Sequence, residues 1–203
     1  MKDARDWISC GENSPVCWQR TMPFSTGVIA KEDFISAGGA LPGDTIAMIW
    51  DPDGKRSPNG PYWDTITFKT SYEVLQRRGV MNQLARDKLL HGSKDISDAG
   101  LFGTAFMMAN YARVGMAFDL DALFPAFHVD SLGDLAWFST AYITTGFLVA
   151  LDNENLDAAT RIVETNGIEI HAIGTVASGS QVAINEAGNV HVIFDWNETP
   201  IFP

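Results

Sequence analysis

The residues best suited to do chemistry fall in one run, Lys94-Asp95-Ile96-Ser97-Asp98-Ala99-Gly100-Leu101-Phe102-Gly103-Thr104. A short extended piece feeds directly into a helical pattern. Leu101, Phe102, Ala105, Phe106, Ala109 and Ala112 share one face of that helix. A helix starting near Asp98 offers unpaired N–H groups and a positive dipole end, and the two together attract an anion. Ala99 and Gly100 are small enough for a ligand to approach the backbone. Ser97 adds a hydroxyl and Lys94 a positive charge. Asp95 and Asp98 are oxygen ligands of the kind that hold Mg2+ against phosphate. The same spacing has a purely structural reading. Ser97 or Asp98 caps the helix, while Gly100 and Gly103 allow close packing on a sheet. Spacing alone leaves both readings open.

Other chemistry is missing from the sequence. There is no GxxxxGK[ST]; Gly54-Lys55-Arg56-Ser57 only imitates its end. There is no GxGxxG after a strand and no GxSxG elbow. His91, His128, His171 and His191 show neither HExxH nor i,i+4 spacing, so no zinc site is expected from sequence. Cys10 and Cys17 lack CxxC spacing, and Met1 to Asp6 is not followed by an apolar core. Free thiols in a reducing cytoplasm are the expectation.

Charge narrows the partners. Fourteen basic and 25 acidic residues give a formal charge of −11, which repels a nucleic-acid backbone, so no nucleic-acid partner is expected. The positive charge is concentrated: residues 51–100 hold eight basic and seven acidic residues, whereas 101–203 hold only Arg113 and Arg161 against twelve acids. Any anion site therefore belongs near Lys55, Arg56, Arg77, Arg78, Arg86, Lys88 and Lys94. Leu135 to Leu151 is 17 residues long and uncharged. Ser139, Thr140, Thr144, Thr145 and Gly146 interrupt it, so it reads as a helix end, a turn and a buried strand rather than a membrane span.

The elements that must position these residues follow from periodicity and turn chemistry. Residues 1–23 read as an N-terminal arm and 24–203 as one domain, of a size that buries a core without staples. Strands are predicted at 26–30, 45–50, 95–97, 116–120, 146–151 and 168–176. Asp51-Pro52-Asp53-Gly54 is a turn and Ser57 to Trp63 a loop. Helices are predicted at about 70–87, 98–113, 131–138 and 153–166, stopped by Gly115 and by Asn166-Gly167 among others. Residues 181–185 and 190–194 form a hairpin around Gly188-Asn189. This order implies an α/β fold with a mixed sheet covered by helices.

The 94–104 run resembles the DxSDGGL-type motif in the C-terminal domain of the aminoimidazole ribonucleotide (AIR) synthetase superfamily. Gly115 to Leu123 is similar to the family's next strand and helix. Thr145 to Ala150 resembles its "xGxFLVAV" strand, and Gly167 to Gly174 its "GIxAxxIGxV" ending. Thr26 to Ala30 and Pro42-Gly43-Asp44 resemble its opening strand and "PGD" turn. Ser57-Pro58-Asn59-Gly60-Pro61-Tyr62 is similar to its "HSNGY" loop. Tyr62-Trp63-Asp64 is similar to the uncharacterised AIR synthase-related branch. Two departures stand out: Ala99 occupies a common glycine position, and Ser57-Pro58 replaces His-Ser.

The resemblance spans residues 24–195. It implies a three-layer α/β domain, ATP and Mg2+ as cofactors, and phosphoryl activation of a small phosphorylated or amide-type substrate. It implies Lys94, Asp95, Ser97, Asp98, Ala99 and Gly100 at the phosphate, with Asp95 and Asp98 toward metal. Asn59, Gly60, Tyr62, Trp63 and Asp64 form the implied substrate loop. The family's N-terminal domain supplies most acidic ligands and the dimer interface. The expectation is therefore a C-terminal or split half, inactive alone, that pairs with itself or with a separate N-terminal-half protein. A non-catalytic binding or assembly module is the alternative, and a complete small enzyme with an unrelated site a third.

Overall fold

The structure is a computed structural model that describes residues 30–58 and 60–199. The predicted arm at 1–23, all but Ala30 of the predicted strand at 26–30, Cys10, Cys17 and Asn59 lie outside the described residues, and Ala30 itself precedes a 3-10 turn at Lys31–Asp33.

Among the described residues ten strands and five α-helices follow one another along the chain. Strand β1 (Thr45–Trp50) comes first, then β2 (Lys55–Arg56) and β3 (Tyr62–Asp64). Helix α1 (Ser71–Arg86) leads to β4 (Gly92–Asp95). Helix α2 (Gly100–Ala112), β5 (Gly115–Asp119), α3 (Leu120–Ala126) and α4 (Leu132–Thr140) follow. Then come β6 (Tyr142–Ile143), β7 (Gly146–Leu151) and α5 (Leu156–Thr165). The chain continues through β8 (Glu169–Ala177), β9 (Gln181–Glu186) and β10 (Asn189–Asp195).

Seven strands form one mixed sheet in the order β10-β9-β5-β8-β1-β7-β4. Only the β5–β9 pair is parallel among its neighbours. β1 is the spine. Its run Ile46 to Trp50 is buried throughout, because helices cover both faces. Ile46, Met48 and Trp50 point into the core shared with α2, α3 and α4. Ala47 and Ile49 face Val80 and Leu84 of α1 and Ala159 and Val163 of α5. The result is three layers, as the alternating pattern implied. A small second sheet, β2-β3-β6, folds over one end.

Capping explains most of the helix limits. Thr70 accepts a hydrogen bond from the Glu73 N–H, and the Glu73 carboxylate accepts one from the Thr70 N–H at 2.8 Å, a reciprocal box that fixes the start of α1. Ser131 starts α4 by accepting from Asp134 N–H at 3.1 Å. Boundaries differ from the sequence expectation at several elements, and the short strand expected at 95–97 is β4 at Gly92–Asp95. α2 stops at Arg113, which takes the left-handed cap conformation at φ 59°, so Gly115 opens β5 instead. The predicted 153–166 helix splits into a 3-10 turn at Asn153–Asn155 and α5, with no side-chain cap on either. Ala187 and Gly188 both have positive φ, the geometry that a two-residue hairpin loop requires. The uncharged 135–151 stretch is the end of α4, β6 and β7. Among the described residues no helix is long and apolar enough to cross a membrane.

Candidate functional site

The 94–104 run lies at the β4 edge of the large sheet. Lys94 and Asp95 close β4, opposite Leu148 and Phe147 of β7. Ile96 is buried and continues the pairing: its N–H donates to Gly146 at 2.9 Å and its carbonyl accepts from Ile143 at 3.1 Å. Ser97 to Ala99 then turn, and α2 begins at Gly100 rather than at Asp98. No side-chain oxygen caps this helix, so neither Ser97 nor Asp98 serves as its N-cap. The uncapped first turn is the arrangement that leaves donors for an outside acceptor. Asp98 and Ala99 are exposed and Ser97 is half-buried.

Gly100 has a different reason for being glycine. Its φ is +65°, and an added Cβ would lie 2.3 Å from the Ser139 carbonyl oxygen. The start of α2 is pressed on the end of α4, so this glycine serves packing between helices.

Two clefts meet at Asp95. The larger, about 710 Å3, is lined by Lys94, Asp95 and Ser93 together with Phe34, Met81 and Tyr111. The smaller, about 270 Å3, is lined by Asp95, Arg78, Tyr142, Thr144 and Phe147. Lys94 reaches its neighbour Asp95 at 3.1 Å and is mostly covered. Ser97, Asp98, Ala99 and Gly100 line neither cleft.

The predicted substrate loop arrives beside this edge through the small sheet. Tyr62 pairs with Tyr142 and Trp63 with Ile143 in parallel register, and the two tyrosine rings sit 5.2 Å apart. Burial, and then the neighbouring Tyr62 hydroxyl, push the Tyr142 phenol above its usual range; Asp95 and Asp98 add to this while Arg78 opposes it. Tyr142 thus joins the two segments that the sequence reading singled out separately. It sat in an uncharged stretch read only as scaffold, and no sequence signal marked it.

Trp63 and Asp64 are committed to the fold. The Trp63 indole N–H donates to the Asp51 carbonyl at 3.0 Å, and its ring packs on Trp50 and Phe138. The Asp64 carboxylate accepts from the N–H groups of Ile66 and Thr67, both at 3.0 Å. Burial opposes its ionisation, but these bonds and the Thr67 hydroxyl hold it below the usual carboxylate range. Gly60 is exposed, with φ +146°.

Most cations of the middle segment have internal partners. Arg77 pairs with the buried Asp51 and with Asp53, which Lys69 also contacts. Lys88 pairs with Asp33 at 2.6 Å. Arg56 pairs with Asp134 at 2.5 Å and lies over the Trp137 ring. Arg78 donates to the Thr144 carbonyl at 2.8 Å and lines the smaller cleft. Lys94 and Arg78 are therefore the members of that set found at the clefts.

Asp95 and Asp98 do not form part of a three-ligand cluster among the described residues. Such clusters arise elsewhere, at His128, Glu169 and His171 and at Asp44, His91 and Asp152. No short motif encodes either one, because each joins separate elements.

A family model described as AIR synthase related protein, C-terminal domain, matches residues 65–186, more than half the chain. An uncharacterised protein of Synechocystis is 26% identical over 172 residues, covering 84% of this chain and 52% of that protein. The chain spans about half the length of the curated relatives it matches. A Thermotoga maritima PurLQS structure shares its fold at TM-score 0.65 and 12% identity, over 81% of this chain and 27% of that one. The hydrogenase maturation protein HypE in complex with ATP does so at TM-score 0.54 and 15% identity, over 79% of this chain and 53% of that one.

Proposed function

The chain belongs to the AIR synthase related protein C-terminal domain family, and from that premise we propose that it is the C-terminal half of an ATP-using enzyme. In this reading the β4–α2 edge receives a phosphate-bearing ligand. The observation that carries it is the convergence at Asp95. Lys94, Arg78 and Tyr142 line the two clefts that meet there, and the Tyr62 ring lies against Tyr142.

The residues fit a metal-bridged phosphate better than a bare anion. The first turn of α2 lacks a side-chain cap, which leaves it open to an external acceptor. Asp95 and Asp98 repel an anion on their own, and a hard cation between them and the phosphate reverses that sign. ATP would supply the phosphoryl group that activates a substrate oxygen. Lys94 and Arg78 would orient the phosphate by charge, and Tyr142, backed by the Tyr62 ring, would wall the cleft. HypE has been solved with ATP, which supports the same ligand class here. We propose further that turnover needs the acidic ligands of an N-terminal half, whether on a partner protein or elsewhere in a longer chain.

Calorimetric titration with ATP and with ribose 5-phosphate, with and without Mg2+, tests the site. Binding should strengthen with Mg2+, and the Lys94→Ala, Ser97→Ala double variant should weaken it about tenfold or more, by about 1.4 kcal/mol. Arg161→Ala on α5 should leave it unchanged. Affinity indifferent to Mg2+ and to both site changes defeats the proposal. That result would favour a non-catalytic module, the reading supported by the internal pairing of Arg56, Arg77 and Lys88.

A further inference from the structure

We propose a second, separate site: a transition-metal centre built from His128, Glu169 and His171. It does not depend on the phosphate reading.

Glu169 and His171 are two apart on β8, so they share a face of the sheet. They lie opposite Trp50 and Met48 of β1, on the side covered by α3. β8 is an interior strand, paired to β1 on one side and to β5 on the other. Two ligands therefore stand on a rigid support. The third comes from the turn after α3. His128 takes the left-handed conformation at φ 54°, held by its N–H donating to the Pro125 carbonyl at 3.1 Å. That conformation directs the chain back so that the imidazole meets β8.

The three side chains converge on one point. His128 Nε2 and His171 Nε2 each lie 2.8 Å from the same oxygen, Oε2 of Glu169. The two rings are nearly perpendicular, with centroids 5.9 Å apart. A four-coordinate ion with bonds of about 2.0–2.1 Å needs ligand atoms about 3.3–3.4 Å apart. Small rotations of these part-exposed side chains supply that spread. Two imidazoles and one carboxylate select zinc, iron or a similar first-row divalent ion over Mg2+, which prefers oxygen alone. The formal charge of −11 favours cation uptake.

One of the three ligands borders open space. His128 lines a cleft of about 320 Å3 with Trp50, Arg56, Asp130 and Asp134. The Trp50 indole N–H, buried in that wall, has no acceptor among the described residues. The other cluster is a weaker candidate. His91 meets Asp44 through Nδ1 at 2.9 Å and Asp152 through Nε2 at 3.4 Å, so the carboxylates take opposite ring nitrogens.

The test uses the full chain without an affinity tag, in a Cys10→Ser, Cys17→Ser background so that thiols do not compete. Zn2+ binding is measured by calorimetry and Co2+ binding by its visible d–d absorption. One equivalent of each should bind per chain, and Mg2+ should not compete. His171→Ala and His128→Asn should each weaken Zn2+ at least about tenfold and abolish the Co2+ bands. His91→Ala should change neither. Asn tolerates the left-handed backbone at 128, and far-UV circular dichroism confirms folding of each variant. No stoichiometric binding, or binding kept in both site variants, or binding lost only with His91→Ala, overturns the proposal.

Discussion

At the scale of single residues, the site neighbourhood divides into groups held by the fold and groups left available. Asp64 belongs to the first kind. Its carboxylate accepts two backbone N–H bonds and the Thr67 hydroxyl, and its folded pKa is depressed. A depressed pKa contributes stability that is present above the unfolded value of about 3.9 and is lost as pH falls through the folded value. Asp64→Ala should therefore cost about 1–2 kcal/mol near pH 7 from the lost hydrogen bonds. The gap to wild type should narrow as pH drops below about 4. Urea titrations at pH 7 and pH 3 check this, and a gap that widens in acid would show the wrong sign.

At the scale of elements, the junction of α2 with α4 decides how the 94–104 segment is built. Ser97, Ala99 and Gly100 read alike in the sequence, as small residues at a helix start. In the fold only Gly100 is caught, by the Ser139 carbonyl and by its positive φ. Gly100→Ala should lose at least about 1–2 kcal/mol from the left-handed conformation alone, with more from the backbone contact. Ala99 is exposed at the N-cap position, where glycine is no worse than alanine, so Ala99→Gly should change stability by under about 1 kcal/mol. Thermal or urea unfolding of the two variants separates packing from ligand access. Equal effects would mean that the α2–α4 contact is not the constraint.

At the scale of the whole molecule, several large apolar side chains have no cover among the described residues. Phe34 is 67% exposed, Tyr72 75% and Leu75 71%. The cleft of about 710 Å3 opens beside Phe34 and Tyr111. In the half-enzyme reading proposed above, exposed apolar surface of this kind is where an N-terminal half would pack. The chain alone should show no ATP turnover at enzymatic rates. It should associate, with itself or with an N-terminal-half protein, in sedimentation velocity runs. Tyr72→Ser with Leu75→Ser should shift that equilibrium toward the monomer. A monomer at high concentration that binds no such partner and turns over ATP unaided would refute the half-enzyme reading.

The amino-acid sequence by itself determined the elements whose signals are local. β1 and β7 were legible as unbroken apolar runs bounded by turn residues, because strands buried on both faces need apolar side chains at every position. α1 followed from apolar periodicity and the C-terminal hairpin from turn chemistry, where neighbours in sequence are neighbours in space, although the hairpin loop is Ala187-Gly188 and not Gly188-Asn189. The motif order also carried the family. The tertiary structure alone decided where α2 begins, since Gly100 is set by α4 and not by its own neighbours. It decided that Trp63 and Asp64 are spent on the fold while Tyr142 lines a cleft with Asp95 and Arg78. It also brought His128 to Glu169 and His171 across the gap between α3 and β8. These are contacts between segments far apart in the chain, and their geometry depends on sheet order and register, which no local pattern encodes.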